Sequence, residues 1–573
     1  MGFNDLLLSV GGLGYFQIIN TAMLLLPMLF MACHNFLQNF TAAIPAHRCW
    51  LPSLDSNTAS YETENLLLFI PKDNNEKPMN CLRYRKDLQF VWENSSSLLN
   101  HTEPCEDGWV YDNSVFSSTI ITEWDLVCDL RKMRQIAQSI YMAGVLVGAV
   151  LLGGMSDRFG RRALLIGSYL GIAVFGTCAA FLPNFITYCT FRCLCGIAFS
   201  GVILNTISLI LEWTSPSGRI VMGTLFAYSF TCGQLLLPAL AYGIRDWRWL
   251  QFTVSAPFYL YFLYSWMVPE SARWLILKGR SQEALRNLKR VAKINRKGEE
   301  GKKLTEKVLI SHMKSEVNQI KHTHTLLDLF RTPGIRKVTV CLMLVWFSTS
   351  FAFYGLGLDL QNFGLSIFLM QLIFGSIDIP AKLTAAILMT YIGRRITQCA
   401  VLVLAGLALL SNAFIPQELK ILRIVLAVLG KGCLAASFAC AYVYSGELFP
   451  TVIRQSGMGM VAMMARLGSM VAPLVLMLSE ISVSLPTAIY GVAAIISGGA
   501  ATFLTETCNQ QLPDTVEEVE ARSQNKVFRK KILKKELPIN QRELQQMVTK
   551  EEGIPNNIQS QLACPKRILV ETV

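Results

Sequence analysis

Apolar residues run along this chain in blocks close to 20 residues long, a length that crosses a hydrocarbon core about 30 Å thick. The blocks lie near 14–36, 136–154, 163–182, 185–211, 220–242 and 247–268, and after a polar stretch near 338–358, 364–390, 396–415, 421–446, 452–478 and 484–504. The pattern predicts twelve membrane-spanning helices in two groups of six. The first block reads as an uncleaved span. The preceding MGFNDLLLSV is not basic, and the apolar run is longer than the core of a secretory signal, about 7–15 residues.

Composition narrows the class. Of 573 residues, 52% are hydrophobic and 16% charged, against about 25% charged in soluble chains. The formal net charge of +12 does not point to nucleic acid, because the basic residues flank the spans instead of interleaving with aromatics on one face. The lipid bilayer is the expected surrounding. The halves are expected at 1–268 and 338–504, joined by a linker at 269–337 and followed by a basic tail at 505–573. The loop 37–135 carries about 9 Lys/Arg against 14 Asp/Glu, whereas 269–337 carries about 17 against 7. Positive charge concentrates on the cytoplasmic side. Linker, tail and both termini are therefore expected inside and the first loop outside. That loop also holds Cys49, Cys81, Cys105 and Cys128, for which three pairings exist, and sequons at Asn39, Asn94 and Asn100. Disulfides and glycans both belong to the outer side.

The two halves repeat one set of turn motifs. Gly160 precedes Arg161-Arg162 after span two as Gly393 precedes Arg394-Arg395 after span eight, 233 positions on. Glu212 and Glu447 end spans four and ten, 235 apart, and Glu270 and Glu506 follow spans six and twelve, 236 apart. Three pairs in register indicate a duplicated six-span half, the plan of the major facilitator fold. Asp157, Arg158, Arg161 and Arg162, with Glu270 beside Arg273 and Glu447 beside Arg454, are candidate gating ion pairs that form in one conformation and release in another. Taken singly, such loops also serve as positive-inside anchors; the repeat favours gating.

Ionisable residues inside a span cost about 2.5–3.5 kcal/mol each on insertion scales and mark function by default. Lys382 in span eight and Arg466 in span eleven sit near mid-span, and Asp378 and Asp359 are possible counter-charges. Arg192 and Lys431 read as structural partners or as snorkelling to an interface. Two mid-span cations favour an anionic ligand, which Arg can grip through two parallel hydrogen bonds. Trp346, Tyr354, Phe438 and Tyr442 in the second half, and Tyr228, Phe230 and Asn35 in the first, are candidate lining residues. Rings suit the apolar body of an amphipathic anion.

Residues 35–45 (NFLQNFTAAIP), the turn 153–162, Pro269–Trp274, Asp378–Lys382, Glu447–Gln455 and the loop motifs CEDGWVY and TEWDLVC resemble the organic ion transporter family of the major facilitator superfamily, from residue 1 to about 520. Lys382 with Arg466 resembles its organic anion branch, since cation carriers hold an acid at the second position. The resemblance implies an antiporter of the plasma membrane that exchanges external organic anions for an intracellular dicarboxylate such as 2-oxoglutarate, with no cofactor. Lys382, Arg466, Tyr354, Phe438, Tyr228 and Asn35 would line its site. Three departures stand out: Phe230 where a Tyr is usual, no Pro before Thr505-Glu506-Thr507, and no acid in Thr390–Arg395. An enzyme is not indicated, as Walker A, His-Glu-x-x-His and Gly-x-Ser-x-Gly motifs are absent. The rivals are a channel, a cation or zwitterion carrier of the same family, and a non-transporting receptor. The terminal Val570-Glu571-Thr572-Val573 is a weak PDZ ligand motif.

Overall fold

A computed structural model describes residues 3–522, apart from 52–54, 56–69, 73–77, 85–101, 312–326 and the single positions 417, 509, 511 and 514. Asn94, Asn100 and the terminal tetrapeptide lie outside the described residues.

Among the described residues, ten helices are long and apolar enough to cross a membrane. They are span one, Tyr15–Phe36; two, Met133–Phe159; three, Arg161–Phe181; four, Phe185–Trp213; and five, Arg219–Gly243. In the second half they are span seven, Pro333–Gly357; eight, Ile367–Tyr391; nine, Arg394–Phe414; ten, Lys420–Leu448; and eleven, Arg454–Leu476. Spans six and twelve depart from the simple pattern. Six is split into Trp247–Ser255 and Pro257–Ser265, because Pro257 brings no N–H to continue the hydrogen-bond ladder. Twelve is the shorter helix Leu485–Ala501. Both groups of six expected spans are helical.

The chain forms two compact units, Met1–Met313 with Leu358–Leu372, and Lys314–Gly357 with Ile373–Val573. In the first, spans two and four meet through small residues. A Cβ added at Gly148 would stand 2.6 Å from the Ile197 carbonyl oxygen, and one at Gly144 would strike that of Cys193. The Gly144/Gly148 pair is thus a packing seam. The segment after span six is helical at Ala272–Leu277, Ser281–Ile294 and Gly298–Lys303 and belongs to this unit through Met313. Asn295 fastens it to the start of span one: its Oδ1 accepts from Phe16 N–H at 2.9 Å and its Nδ2 donates to the carbonyls of Val10 and Gly11 at 3.0 and 2.9 Å.

The loop between spans one and two carries two antiparallel ribbons, β1 (His47–Cys49) with β4 (Trp109–Tyr111), and β2 (Leu82–Tyr84) with β3 (Thr102–Pro104). Disulfides join Cys49 to Cys105 and Cys81 to Cys128, settling the pairing among the three arrangements. Arg48 and Asp55 form a buried ion pair at 2.7 Å. Burial pushes the Asp55 carboxyl up, but hydrogen bonds from Arg48 and from Leu51 N–H outweigh it and hold the group below the usual carboxylate range. One sequon is corrected: Asn39 is 2% exposed in the short helix Gln38–Thr41 and its Nδ2 donates to Gln371 Oε1 at 3.3 Å, which leaves no room for a glycan.

Candidate functional site

The turn after span two is built around Gly160, whose φ of 102° and ψ of 154° are open almost only to glycine. The following helix begins there, and its first N–H groups lack intrahelical acceptors. Glu270, arriving from the end of span six, supplies them: its carboxylate accepts from Arg161 N–H at 3.2 Å, Arg162 N–H at 3.0 Å and Ser271 N–H at 2.9 Å. Burial outweighs these bonds and the nearby Arg161 charge, so the Glu270 carboxyl sits above its usual range. The Arg161 guanidinium reaches Asp157 at 3.0 Å and Glu212, at the end of span four, at 3.3 Å. Arg162 Nη2 donates to the Trp266 carbonyl at 2.6 Å.

The turn after span eight repeats this geometry. Gly393 has φ 103° and ψ 162°. Glu506 accepts from Arg394 N–H at 2.9 Å, Arg395 N–H at 3.0 Å, Thr507 N–H at 3.0 Å and Cys508 N–H at 3.1 Å. Arg394 pairs with Glu447 at 3.1 Å, and the Thr507 hydroxyl donates to the other Glu447 oxygen at 2.5 Å. The residues paired by sequence offset are therefore geometric equivalents. Glu270 grips backbone at the turn, and Glu447 pairs with Arg394. Arg454 Nε donates to the Phe449 carbonyl at 3.1 Å, Arg273 is exposed, and Arg158 lies over the Phe159 ring. Glu212, Arg394 and Glu506 complete the two networks. They were absent from the expected gating set, although the 233–236 offset marked all three.

Inside the second unit the mid-span charges gather with aromatic rings. Trp346 donates Nε1–H to Ser445 Oγ at 2.9 Å and meets Phe438 edge-on at 6.1 Å between centroids. Phe353 stands perpendicular to Phe438 at 5.2 Å and packs against Tyr354 at 5.6 Å. Lys431 points its ammonium at the Phe353 ring, 3.0 Å from the centroid, and lies within electrostatic reach of Asp378 and Lys382. Arg466 is within reach of Tyr354 and donates to its own helix at the Ala462 carbonyl, 3.3 Å away. Lys382 and Arg466 are half-buried; Lys431 and Asp378 are each 1% exposed. Lys431 does not snorkel, and neither does Arg192, also 1% exposed. Tyr442 is 48% exposed, apart from the buried rings. In the first unit Asn35 is buried and Tyr228 and Phe230 are half-buried on span five.

Each unit thus holds a buried cation against a ring and a helix start capped by a carboxylate. Residues 90–518 match the family described as "Sugar (and other) transporter". Solute carrier family 22 member 6-A of Xenopus laevis is 52% identical over 534 residues, covering 91% of this chain and 94% of that protein. The chain belongs to solute carrier family 22. Member 20 of Mus musculus is likewise 52% identical, over 91% of this chain and 94% of its own length. Among solved structures, the partially occluded inward-open xylose transporter XylE of E. coli aligns with a TM-score of 0.58 at 16% identity, covering 87% of this chain and all of that one. That likeness shows the fold. This solute carrier is a multi-pass membrane transporter and not an enzyme, as its sequence motifs indicated.

Proposed function

We propose that this family 22 carrier moves amphipathic organic anions by alternating access, exchanging an external anion for an intracellular dicarboxylate of the 2-oxoglutarate type. One observation carries the reading: the spans of the second half hold Lys382, Lys431 and Arg466 against the single buried acid Asp378, beside the rings of Trp346, Phe353, Tyr354 and Phe438. An excess of fixed cations in a low-dielectric wall attracts anions and repels cations. Lys382 and Arg466 hold the acid group, the rings take the apolar body, and Asn35, Tyr228, Phe230 and Tyr442 are the further lining residues. The two glutamate-clamped turns act as the gating elements. The working location is the plasma membrane, with termini and linker cytoplasmic and the disulfide-bonded loop outside, glycosylated at Asn94 and Asn100. A PDZ protein at the terminal tetrapeptide is a further partner in this reading.

The test is uptake of a labelled amphipathic monoanion and of a labelled organic cation into expressing cells, with and without preloading by glutarate. Anion uptake that rises with preloading supports the exchanger. Cation uptake alone overturns the assignment of Arg466. Lys382→Ala and Arg466→Asp each lower anion uptake at unchanged surface level; normal uptake in both removes them from the site.

A further inference from the structure

We propose that Cys81 and Cys128, once a small thiol has reduced the disulfide between them, join His47 to bind a thiophilic divalent metal ion, zinc in the first instance, in the loop between spans one and two. The proposal does not depend on which solute is carried.

Three elements meet at this point. His47 opens β1, Cys81 immediately precedes β2, and Cys128 opens a short 3-10 turn, Cys128–Leu130, that leads into span two. A ring nitrogen of His47 and the two Sγ atoms lie within 4.8 Å of one another, the one such group of three among the described residues. Pairing of β1 with β4, His47 opposite Tyr111, fixes the backbone that carries the ring. The His47 Nδ1–H donates to the Pro45 carbonyl at 3.0 Å. A carbonyl oxygen can only accept, so this bond keeps the proton on Nδ1 and leaves the Nε2 lone pair free. Metal-binding histidines are oriented in the same way, by a carbonyl or carboxylate that takes their other N–H.

The loop's other disulfide is the contrast. Cys49 and Cys105 are 0% and 7% exposed, whereas Cys81 and Cys128 are half-buried, so a reductant in solution reaches the second bond first. Cys128 also holds a φ of 51°, a left-handed conformation that costs a non-glycine residue about 1–3 kcal/mol. Two small thiols supply two electrons and two protons: the Cys81–Cys128 bond breaks, each Sγ gains a hydrogen, and the thiols leave joined as their own disulfide. Zinc then displaces both thiol protons. Two thiolates, a neutral imidazole and one water give a four-coordinate site with no net charge. Tetrahedral zinc sets its nitrogen and sulfur ligands about 3.5–3.8 Å apart. The sulfurs therefore move apart once the bond opens, and the imidazole moves in by little more than about 1 Å. The metal would keep β1, β2 and the start of span two tied together when the covalent bond is lost.

The experiment treats the purified full chain with a water-soluble phosphine, which breaks the disulfide and ends as its oxide, water supplying the oxygen and the two protons. The phosphine is removed without air, and alkylation of each cysteine is read by mass spectrometry with and without zinc. The expected result is that Cys81 and Cys128 are alkylated before Cys49 and Cys105, and that zinc protects Cys81 and Cys128. Cobalt(II) in place of zinc should give the visible absorption of a tetrahedral thiolate site in the reduced chain and not in the oxidised one. His47→Ala should need at least about tenfold more zinc for the same protection. The double variant Cys81→Ser with Cys128→Ser should lose the cobalt absorption. If that variant does not fold, the histidine variant, which leaves both disulfides in place, decides. Earlier opening of Cys49–Cys105, alkylation unaffected by zinc, or equal protection in His47→Ala overturns the site.

Discussion

The turns after spans two and eight share one plan and distribute its bonds differently. In each, a glycine with positive φ lets the chain reverse, a glutamate from a distant span caps the next helix, and that helix's first arginine reaches a second glutamate. The first turn spreads its ties: Glu270 takes three N–H groups, Arg161 is shared between Asp157 and Glu212, Trp274 Nε1 donates to the Asp157 carbonyl and Arg162 to that of Trp266. The second concentrates them: Glu506 takes four N–H groups, and Glu447 binds Arg394 with one oxygen and the Thr507 hydroxyl with the other. Where Asp157 stands in the first turn, the second has Thr390, whose hydroxyl bonds its own helix at the Ala386 carbonyl. Concentration makes the second turn more vulnerable to single deletions and easier to reinforce.

The largest expected effect is therefore the loss of Glu506. Glu506→Ala strands four donors at once and should cost about 3–4 kcal/mol, and Glu270→Ala about 2–3 kcal/mol, since hydrogen bonds to a charged group contribute about 1.5–3 kcal/mol each and water recovers part of the loss. Denaturation of the purified variants ranks the two, and equal losses would break the contrast between concentrated and spread ties. Next come the glycines. Gly160→Ala and Gly393→Ala each cost about 1–3 kcal/mol through backbone strain. At Gly393 the added Cβ also meets Glu506 Oε2 at 2.8 Å, and at Gly160 it presses closer still on Glu270. The first variant should lose more, reversing the order of the glutamate pair.

A pH series sharpens the comparison further. Burial raises the Glu270 carboxyl above its ordinary value of 4.5, so the folded chain binds a proton there more tightly than the unfolded one. The stability linked to that proton is fully present below about pH 4.5 and is lost as pH rises through the higher folded-state value. Relative to Glu270→Gln, the wild-type chain should lose melting temperature as pH is raised across this window. A difference that stays flat with pH would place the ionised form at no disadvantage in the turn.

The spans were legible because a bilayer dictates length, and the duplicated turns because a constant offset survives without matching helix sequences. Partnership was less legible. Glu270 is 109 positions from Arg161, and which acid meets which helix end follows from packing that no local motif encodes. The same limit hid the disulfides: four cysteines allow three pairings until the ribbons bring Cys49 opposite Trp109, a few residues from Cys105. It also misled at Asn39, whose sequon is local while its burial against Gln371 is not. Span six read as one run because Pro257 lies within apolar residues that hide the break.

The smallest effect is a gain. Thr390 lies 233 positions after Asp157 and four before Arg394, the same i to i+4 spacing as Asp157 to Arg161. Thr390→Asp should let Arg394 hold two acids, as Arg161 does. The Asp157 carboxylate is 78% exposed, so water and salt screen such a pair. The expected stabilisation is about 0.3–0.5 kcal/mol, the range of exposed helix ion pairs, and it should fade in high salt. Asp157→Thr should cost a similar amount. The double variant carrying both changes should restore the wild-type melting temperature, because the sites lie in separate turns and share no partner. A Thr390→Asp variant no more stable than wild type at low salt would mean that Arg394, held by Glu447, cannot turn to a second acid, and that the two turns differ in side-chain freedom as well as in charge.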